Sequence, residues 1–413
     1  MKRSDKLRFD ALLEWSQSHG AELHPSLEIY DDDLTKFSLR VKPTIIDEVE
    51  GEFTAVTCPV STTLSYLNAL VDGPINPSTP FQQNNPAFPA RFMQSIPPHV
   101  VGRFFLIKEY LKGKASFWHP YITALPQPEH VNSWALPAFW PEDDIAYLEG
   151  TNAYVAIEEI QANVKREFKQ ARKALKEDDF PDWQDYTQML YKWAFCIFTS
   201  RSFRPSLVLS TPSIQHLTPL LPSTCQIDDF SILQPLFDIA NHSMTAMYSW
   251  DITTSPTACR LISRDTYAPG QQVFNNYGRN KTNSELLLAY GFILPESRDL
   301  HNDYVHVRKR QQQPPQQNSD PEKPLDFLIS LRPLSVWSSL AGRCRLSLGP
   351  TSRLASLPCF THFEPALVDD LASAVAATIP GQAEALERWA MSNDDPAHSR
   401  GPPEDVREMV EQG

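Results

Sequence analysis

The sequence predicts an α+β chain, and three observations predict it. Apolar residues alternate at period two over residues 37–41 and 53–58, helical periodicity runs from Val101 to about Tyr191, and strand signals return after Leu233. The first element is a helix from Phe9 to Gly20 that buries Leu12, Leu13 and Trp15 and stops at Gly20, which tolerates a left-handed conformation. Phe37–Val41 and Phe53–Cys58 then read as strands, and Leu64, Leu67, Leu70 and Val71 recur at helical spacing. Residues 74–99 carry repeated prolines around Gln82, Gln83, Asn84 and Asn85, a composition poor in buriable surface, so a mobile loop is expected there. In the helical stretch, Phe104, Phe105, Tyr110 and Leu111 form one apolar face and Val164, Phe168, Ala171 and Leu175 another. The Lys/Arg side of that second helix reads as a solvated face. Gln311–Gln317 is low in complexity and marks a linker; Leu367, Leu371 and Val375 then share a face of a helix in a small helical domain, and residues from Asp394 onward look frayed.

Composition narrows the function classes. With 413 residues, 41% hydrophobic and 21% charged, the chain is a soluble globular protein large enough for two or three cored domains. A net charge of -13 and a pI near 5.3 disfavour a surface that tracks nucleic-acid phosphates and favour basic partners such as lysine-rich proteins. Cys58, Cys196, Cys225, Cys259, Cys344 and Cys359 lie far apart, with no C-x-x-C pair and no histidine array, so neither a metal site nor a disulfide framework is expected. A reducing setting, cytoplasmic or nuclear, follows. No apolar run approaches the roughly 18 residues of a membrane span, so no membrane partner is expected.

Two short stretches carry the chemistry. In the second, Pro269-Gly270 suits a type II turn, Val273, Asn275 and Tyr277 share one strand face, and Tyr277 ends the strand. Thr282 with Glu285 makes a capping box, Leu286 to Leu288 bury one side of a short helix, and Gly291 terminates it beside Tyr290. Two tyrosines thus bracket one helix and can line a common pocket, although cores hold many tyrosines for packing alone. The first stretch runs from an apolar strand into Asp238, Asn241 and His242, which cannot all be buried without partners. A metal role for His242 lacks a second ligand at the right spacing, and a hydrolase triad lacks a G-x-S-x-G elbow.

Taken together, Leu148-Glu149-Gly150-Thr151, Ser200-Arg201-Ser202-Phe203, the Pro235 to His242 segment and the Tyr277 to Phe292 segment resemble the SET-domain protein methyltransferases. The resemblance covers roughly residues 5–310 and points to the group of Rubisco large-subunit lysine methyltransferase and the fungal ribosomal-protein lysine methyltransferases. It implies a mainly-β SET fold interrupted by a helical insertion, with a small C-terminal all-α domain. The expected boundaries are 1–74 and 231–308 for the two parts of the SET domain, 75–230 for the Pro-rich loop and insertion, 309–324 for the linker and 325–413 for a helical substrate-binding-like domain. The apolar helices after Leu325 are few, which would leave that last domain incomplete.

The resemblance also implies roles. S-adenosyl-L-methionine and a lysine of a protein substrate would meet in line from opposite sides of a narrow channel. Asn241 and His242 would form the cofactor-binding crossover with Asp238 in support, Arg201 and Ser200 would hold the cofactor's charged methionine end, Tyr277 would be catalytic, and Tyr290 and Phe292 would wall the lysine channel. A free lysine, with a pKa of about 10.4, is neutral only about once in a few thousand at pH 7, so the site must favour its deprotonation. One departure stands out. Where the family carries a G-x-G-type loop, this chain reads Leu34-Thr35-Lys36-Phe37-Ser38-Leu39, and a residue with a Cβ does not readily take positive φ, which places cofactor binding in question and leaves Arg40 as a flanking contact. Protein-lysine methylation leads; a catalytically weak or inactive SET module that binds peptides or scaffolds a complex, and protein-histidine methylation, are the alternatives.

Overall fold

The computed structural model describes residues 2–33, 35–76, 86–278, 281–295, 304–308, 326–336, 339, 355 and 358–378. Two compact units divide the chain: Met1–Arg279 with Leu287–Gly291, and Asn280–Leu286 with Phe292–Gly413.

In the first unit, helix α1 (Arg3–Ser18) buries Phe9 and Leu12 and ends at Gly20, whose φ is +80°. Strands β1 (Glu22–Leu23), β2 (Leu27–Asp32), β3 (Lys36–Val41) and β4 (Phe53–Pro59) follow, then β5 (Leu64–Ser65) and helix α2 (Tyr66–Val71). A helical run holds α3 (Ala90–Ser95), α4 (Pro98–Leu111), α5 (His119–Ala124), α6 (Glu142–Ala146), α7 (Asn152–Glu177) and α8 (Gln188–Arg201). After it come β6 (Ser202–Phe203), α9 (Pro205–Val208), α10 (Thr211–Leu217), β7 (Ile232–Leu233), β8 (Tyr248–Asp251), β9 (Ala258–Ser263) and β10 (Gln272–Val273). The strands form small antiparallel sheets in the orders β1-β4-β9-β8, β10-β3-β2 and β5-β7-β6. Residues distant in sequence therefore share each sheet, because the helices α3–α8 lie between β5 and β6.

The Pro-rich stretch is more ordered than its composition suggests. Residues 77–85 lie outside the described residues, but α3 starts within it, and Phe88 and Phe92 are buried against Phe104, Phe180 and Tyr186. Two phenylalanines outweigh the surrounding prolines, since each buried aromatic contributes about 2 kcal/mol or more. The expected α4 face is narrower than read: Phe104 and Phe105 are buried, while Leu111 is 41% exposed. On α7, Val164, Phe168, Ala171 and Leu175 are all buried as expected. Leu148–Thr151 punctuates the chain before α7: Gly150 takes φ +80° and the Thr151 hydroxyl caps the helix by accepting from the Tyr154 amide.

In the second unit, Thr282 and Glu285 form the expected reciprocal cap at the start of helix α11 (Asn283–Tyr290), whose residues from Leu287 on belong to the first unit. Strands β11 (Tyr304–Arg308) and β12 (Asp326–Ser330) pair antiparallel, and helix α12 (Pro365–Thr378) follows. The 325–413 segment is thus not all-α: Phe327 and Leu328 are buried in a strand. On α12, Leu367 is buried and Leu371 is 46% exposed, so the expected apolar face is only partly covered. The Gln/Pro-rich linker lies outside the described residues.

Candidate active site

The site forms where two stretches of chain lie side by side. The Ala268 carbonyl accepts from the Gln271 amide across Pro269-Gly270, with Gly270 at φ +81°, which is the type II turn expected from those residues. That turn sets β10 against β3 and delivers Asn275 to the 241–243 segment. There the Asn275 amide donates to the Asn241 carbonyl at 2.8 Å and the Ser243 amide donates to the Asn275 carbonyl at 2.9 Å, a parallel bridge through His242. Tyr277 does not end a strand. The Asn275 side chain accepts from the Asn276 amide, and the Asn276 side chain accepts from the Gly278 amide, so side-chain carbonyls replace the ladder and bend the chain at Tyr277.

The bend lays three rings in a row. His242 stacks on Tyr277 with centroids 5.1 Å apart, and Tyr277 meets Tyr290 at 4.7 Å. The Tyr277 amide donates to His242 Nδ1 at 3.0 Å, which makes Nδ1 the unprotonated nitrogen of a neutral imidazole. The Tyr277 hydroxyl donates to the Ala240 carbonyl at 3.0 Å, so the phenol points at the crossing. Burial pushes the Tyr277 phenol above the ordinary tyrosine value, against a pull from Arg201 and with a push from Tyr290 and Asp238. It is a neutral hydroxyl at physiological pH, a fixed dipole and acceptor of weak C–H contacts rather than a base.

A charged group lies behind the crossing. Leu236, fully buried, takes φ +67° and leads into a short 3-10 turn, Phe237–Ile239, that turns Asp238 inward. Asp238 accepts from the Tyr121 hydroxyl of α5 at 3.0 Å; Arg201, at the end of α8, donates to the Asp238 carbonyl at 3.1 Å and approaches its carboxylate at 3.5 Å. Burial raises the Asp238 pKa, and Arg201 and Tyr121 oppose that rise. Its Oδ1 is buried without a hydrogen-bond partner among the described residues. Arg8 of α1 lies over the rings of Phe9 and Phe37, at 5.0 and 4.9 Å, and pairs with Asp5 at 3.2 Å. Burial lowers the Arg8 pKa, Asp5 raises it and the neighbouring Arg201 lowers it, so two guanidiniums share this locus. Arg8 Nε, too, is buried without a partner among the described residues.

The loop without glycine closes the site. Asn241 donates to the Thr35 hydroxyl at 2.6 Å and to Gln272 Oε1 at 3.1 Å, and Gln272 in turn donates to Tyr30 and Asp32. The Phe37 amide donates to the Thr35 carbonyl across Lys36, which holds φ +71°. A lysine therefore takes the positive φ that a missing glycine was expected to forfeit. The Asp32 carboxylate, gripping both the Thr35 amide and hydroxyl at 2.8 Å, supplies part of the compensation.

Among the expected site residues, the structure brings together Tyr277, Tyr290, His242, Asn241, Asp238 and Arg201. Ser200 turns its hydroxyl back to the Cys196 carbonyl at 2.8 Å, Arg40 is engaged by Glu28 at 2.8 Å, and Phe292 is half-buried in the second unit. The sequence reading missed Arg8, Thr35, Tyr121 and Gln272. An arginine on the apolar side of the first helix, one residue before buried Phe9, was the available signal for Arg8; Tyr121 carried none.

Comparison with known proteins follows the same lines. No protein-family model matches the chain. A ribosomal lysine N-methyltransferase of Schizosaccharomyces pombe (set10) is 30% identical over 291 residues, 70% of this chain and 46% of the relative. An actin-histidine N-methyltransferase of Xenopus tropicalis is 23% identical over 311 residues, 74% of this chain and 46% of the relative. The solved structure of Rubisco LSMT bound to AdoMet matches with a TM-score of 0.54 at 17% identity, over 98% of this chain and 85% of that one. The chain has the SET fold and is related by sequence to these methyltransferases. It spans less than half the length of the two sequence relatives. The SET fold explains why Asn241-His242 and Tyr277, set on separate stretches, converge. Among the described residues, no helix is long and apolar enough to cross a membrane.

Proposed function

We propose that the chain is an S-adenosylmethionine-dependent protein-lysine N-methyltransferase acting on a basic protein, with a ribosomal protein as the first candidate and the cytoplasm or nucleus as its setting. The observation that carries this reading is the Tyr277 hydroxyl, anchored to the Ala240 carbonyl between the rings of His242 and Tyr290. The residues present fit the cofactor: Arg201 and Arg8 would hold its carboxylate, and Asp238 Oδ1, buried without a partner among the described residues, suits its ammonium. When bound, S-adenosylmethionine supplies an electrophilic methyl group and a positive sulfonium. The protein's share is positioning. Tyr277 and Tyr290 would wall the acceptor slot, and aromatic walls desolvate an ammonium and favour the neutral amine. The neutral Tyr277 phenol would orient that amine without taking its proton. The acidic chain favours encounter with basic substrates.

The test is calorimetric titration with S-adenosylhomocysteine, followed by transfer of labelled methyl to a eukaryotic ribosomal protein fraction and mass spectrometry of the modified residue. Cofactor binding with methyl-lysine supports the reading; binding without transfer to any protein acceptor refutes it. The actin-histidine relative favours a second reading, protein-histidine methylation, and methyl-histidine in the same experiment would establish it. The positive φ at Lys36 supports the enzyme over a catalytically weak or inactive module, and absence of cofactor binding in the same titration would favour the module.

A further inference from the structure

Tyr121 lies on α5, inside the helical run, yet its hydroxyl reaches a carboxylate 117 residues away at the rear of the site. The residue is 1% exposed. Its partner Asp238 sits on the turn whose next residue but one, Ala240, supplies the carbonyl that anchors Tyr277. Arg201 grips the same turn at the Asp238 carbonyl. One buried carboxylate therefore connects the proposed cofactor cation to the proposed catalytic phenol, and the Tyr121 hydroxyl is the neutral donor on its Oδ2. We propose, resting on the methyltransferase reading, that Tyr121 is a positioning residue for the reaction: its hydrogen bond to Oδ2 holds Asp238 oriented so that Arg201 and the Ala240 carbonyl stay in place for cofactor and Tyr277.

The alternative is a core tyrosine that merely satisfies its own hydroxyl. The two differ in what they do to the titration of Asp238. The ionisable groups facing it are Tyr121 from α5, Arg201 from α8, Cys58 from β4 and Tyr277 from the bend, with Arg8 of α1 acting through Arg201. Arg201 and Tyr121 favour the ionised carboxylate, while burial opposes it. Removing the phenol hydroxyl takes away one donor to the charged form, so the carboxylate should gain its proton at higher pH.

The experiment measures S-adenosylhomocysteine affinity by calorimetry from pH 5 to 8.5 for the unsubstituted chain, Tyr121→Phe, Asp238→Asn and the double variant. The unsubstituted chain should lose affinity as pH falls through the Asp238 pKa. In Tyr121→Phe that midpoint should move to higher pH, with about tenfold weaker binding in the window between the two midpoints. In Asp238→Asn the midpoint should vanish, and adding Tyr121→Phe should change nothing further. A uniform loss at every pH with an unmoved midpoint, or a midpoint that persists in Asp238→Asn, overturns the proposal. If Tyr121→Phe does not fold, 3-fluorotyrosine at position 121, a stronger donor, should move the midpoint down, and no movement overturns it. No binding by the unsubstituted chain overturns the methyltransferase reading itself, and this proposal with it.

Discussion

Replacing Tyr277 by phenylalanine removes one oxygen, and the structure says what that oxygen does. It donates to the carbonyl of Ala240, a fully buried residue, at 3.0 Å. Leaving that carbonyl without its donor costs about 1–3 kcal/mol of stability. A domain of this size has roughly 5–15 kcal/mol to lose, so the variant stays folded at assay temperature with its melting point lowered by a few degrees, about 2–4 °C per kcal/mol. A loss of that size cannot by itself reduce the active population a hundredfold. If the phenol orients the acceptor amine in a dry slot, its removal should instead cost about 10²–10³ in methyl-transfer rate, as deletion of a preorganised polar group does. Cofactor affinity should hold within about threefold, because the hydroxyl bonds to neither Arg201 nor Asp238 in this arrangement. Initial rates of labelled methyl incorporation, a thermal melt and a calorimetric titration on one preparation separate the three quantities. Folded Tyr277→Phe with a rate within about threefold of the unsubstituted chain refutes the placement of this oxygen at the reacting atoms.

Glu167 joins α4, α7 and α8 by accepting from Arg103 and the Tyr191 hydroxyl at 2.7 Å, with His99 at 3.1 Å. Burial pushes its pKa up, but His99, Arg103 and Tyr191 together outweigh that and hold it below the usual carboxylate value. A lowered native pKa stabilises above the unfolded pKa, near 4.3, and that contribution is lost as pH falls through the native pKa; Glu167→Gln should therefore flatten the acid limb of melting temperature against pH below about pH 5. Lys36→Val should destabilise by about 1–3 kcal/mol in a denaturant titration, because a β-branched residue is strained at φ +71°, whereas Lys36→Gly should not lower stability; equal losses in both would refute strain at that position. Arg8→Met should weaken S-adenosylhomocysteine binding about tenfold and make it less sensitive to salt, and calorimetry at two ionic strengths reads both.

Much of the local structure was legible because its causes are local. A Pro-Gly pair fixes the turn at 268–271, Thr282 and Glu285 fix the cap of α11, and apolar spacing fixes the buried side of α7. Failures came where a local rule met a competing contact. Proline content argued against order near Phe88 and Phe92, but their aromatic neighbours on α4 and beyond supply the burial that the composition understates. Period-two spacing extended the strand to Tyr277, whereas two asparagine side chains had already taken the amides that a ladder would need.

The site divides along the same line. Asn241, His242 and Tyr277 sit in recognisable strings, so the sequence could nominate them; Arg8 and Tyr121 take part only because α1 and α5 pack against each other, with Tyr121 reaching Asp238 and Arg8 neighbouring Arg201. Their side chains answer to a buried charge and not to a neighbouring residue; an arginine on the apolar side of α1 is the one hint of it, and nothing at position 121 marks it. The missing glycine shows the converse error. A residue type was read as forbidding a conformation, yet the cost of positive φ is only about 1–2 kcal/mol for a residue such as lysine, and the Asp32 cap on Thr35 with the Asn241 bond to the same hydroxyl can offset it. The loop therefore keeps its shape through side chains instead of through glycine. Disabling Thr35, by Thr35→Val, should then damage this loop more than any glycine restored at position 36 repairs it. The measurement is cofactor affinity in Thr35→Val against Thr35→Val with Lys36→Gly, and full rescue by the glycine would show that the dihedral, and not the hydrogen bonds, holds the loop.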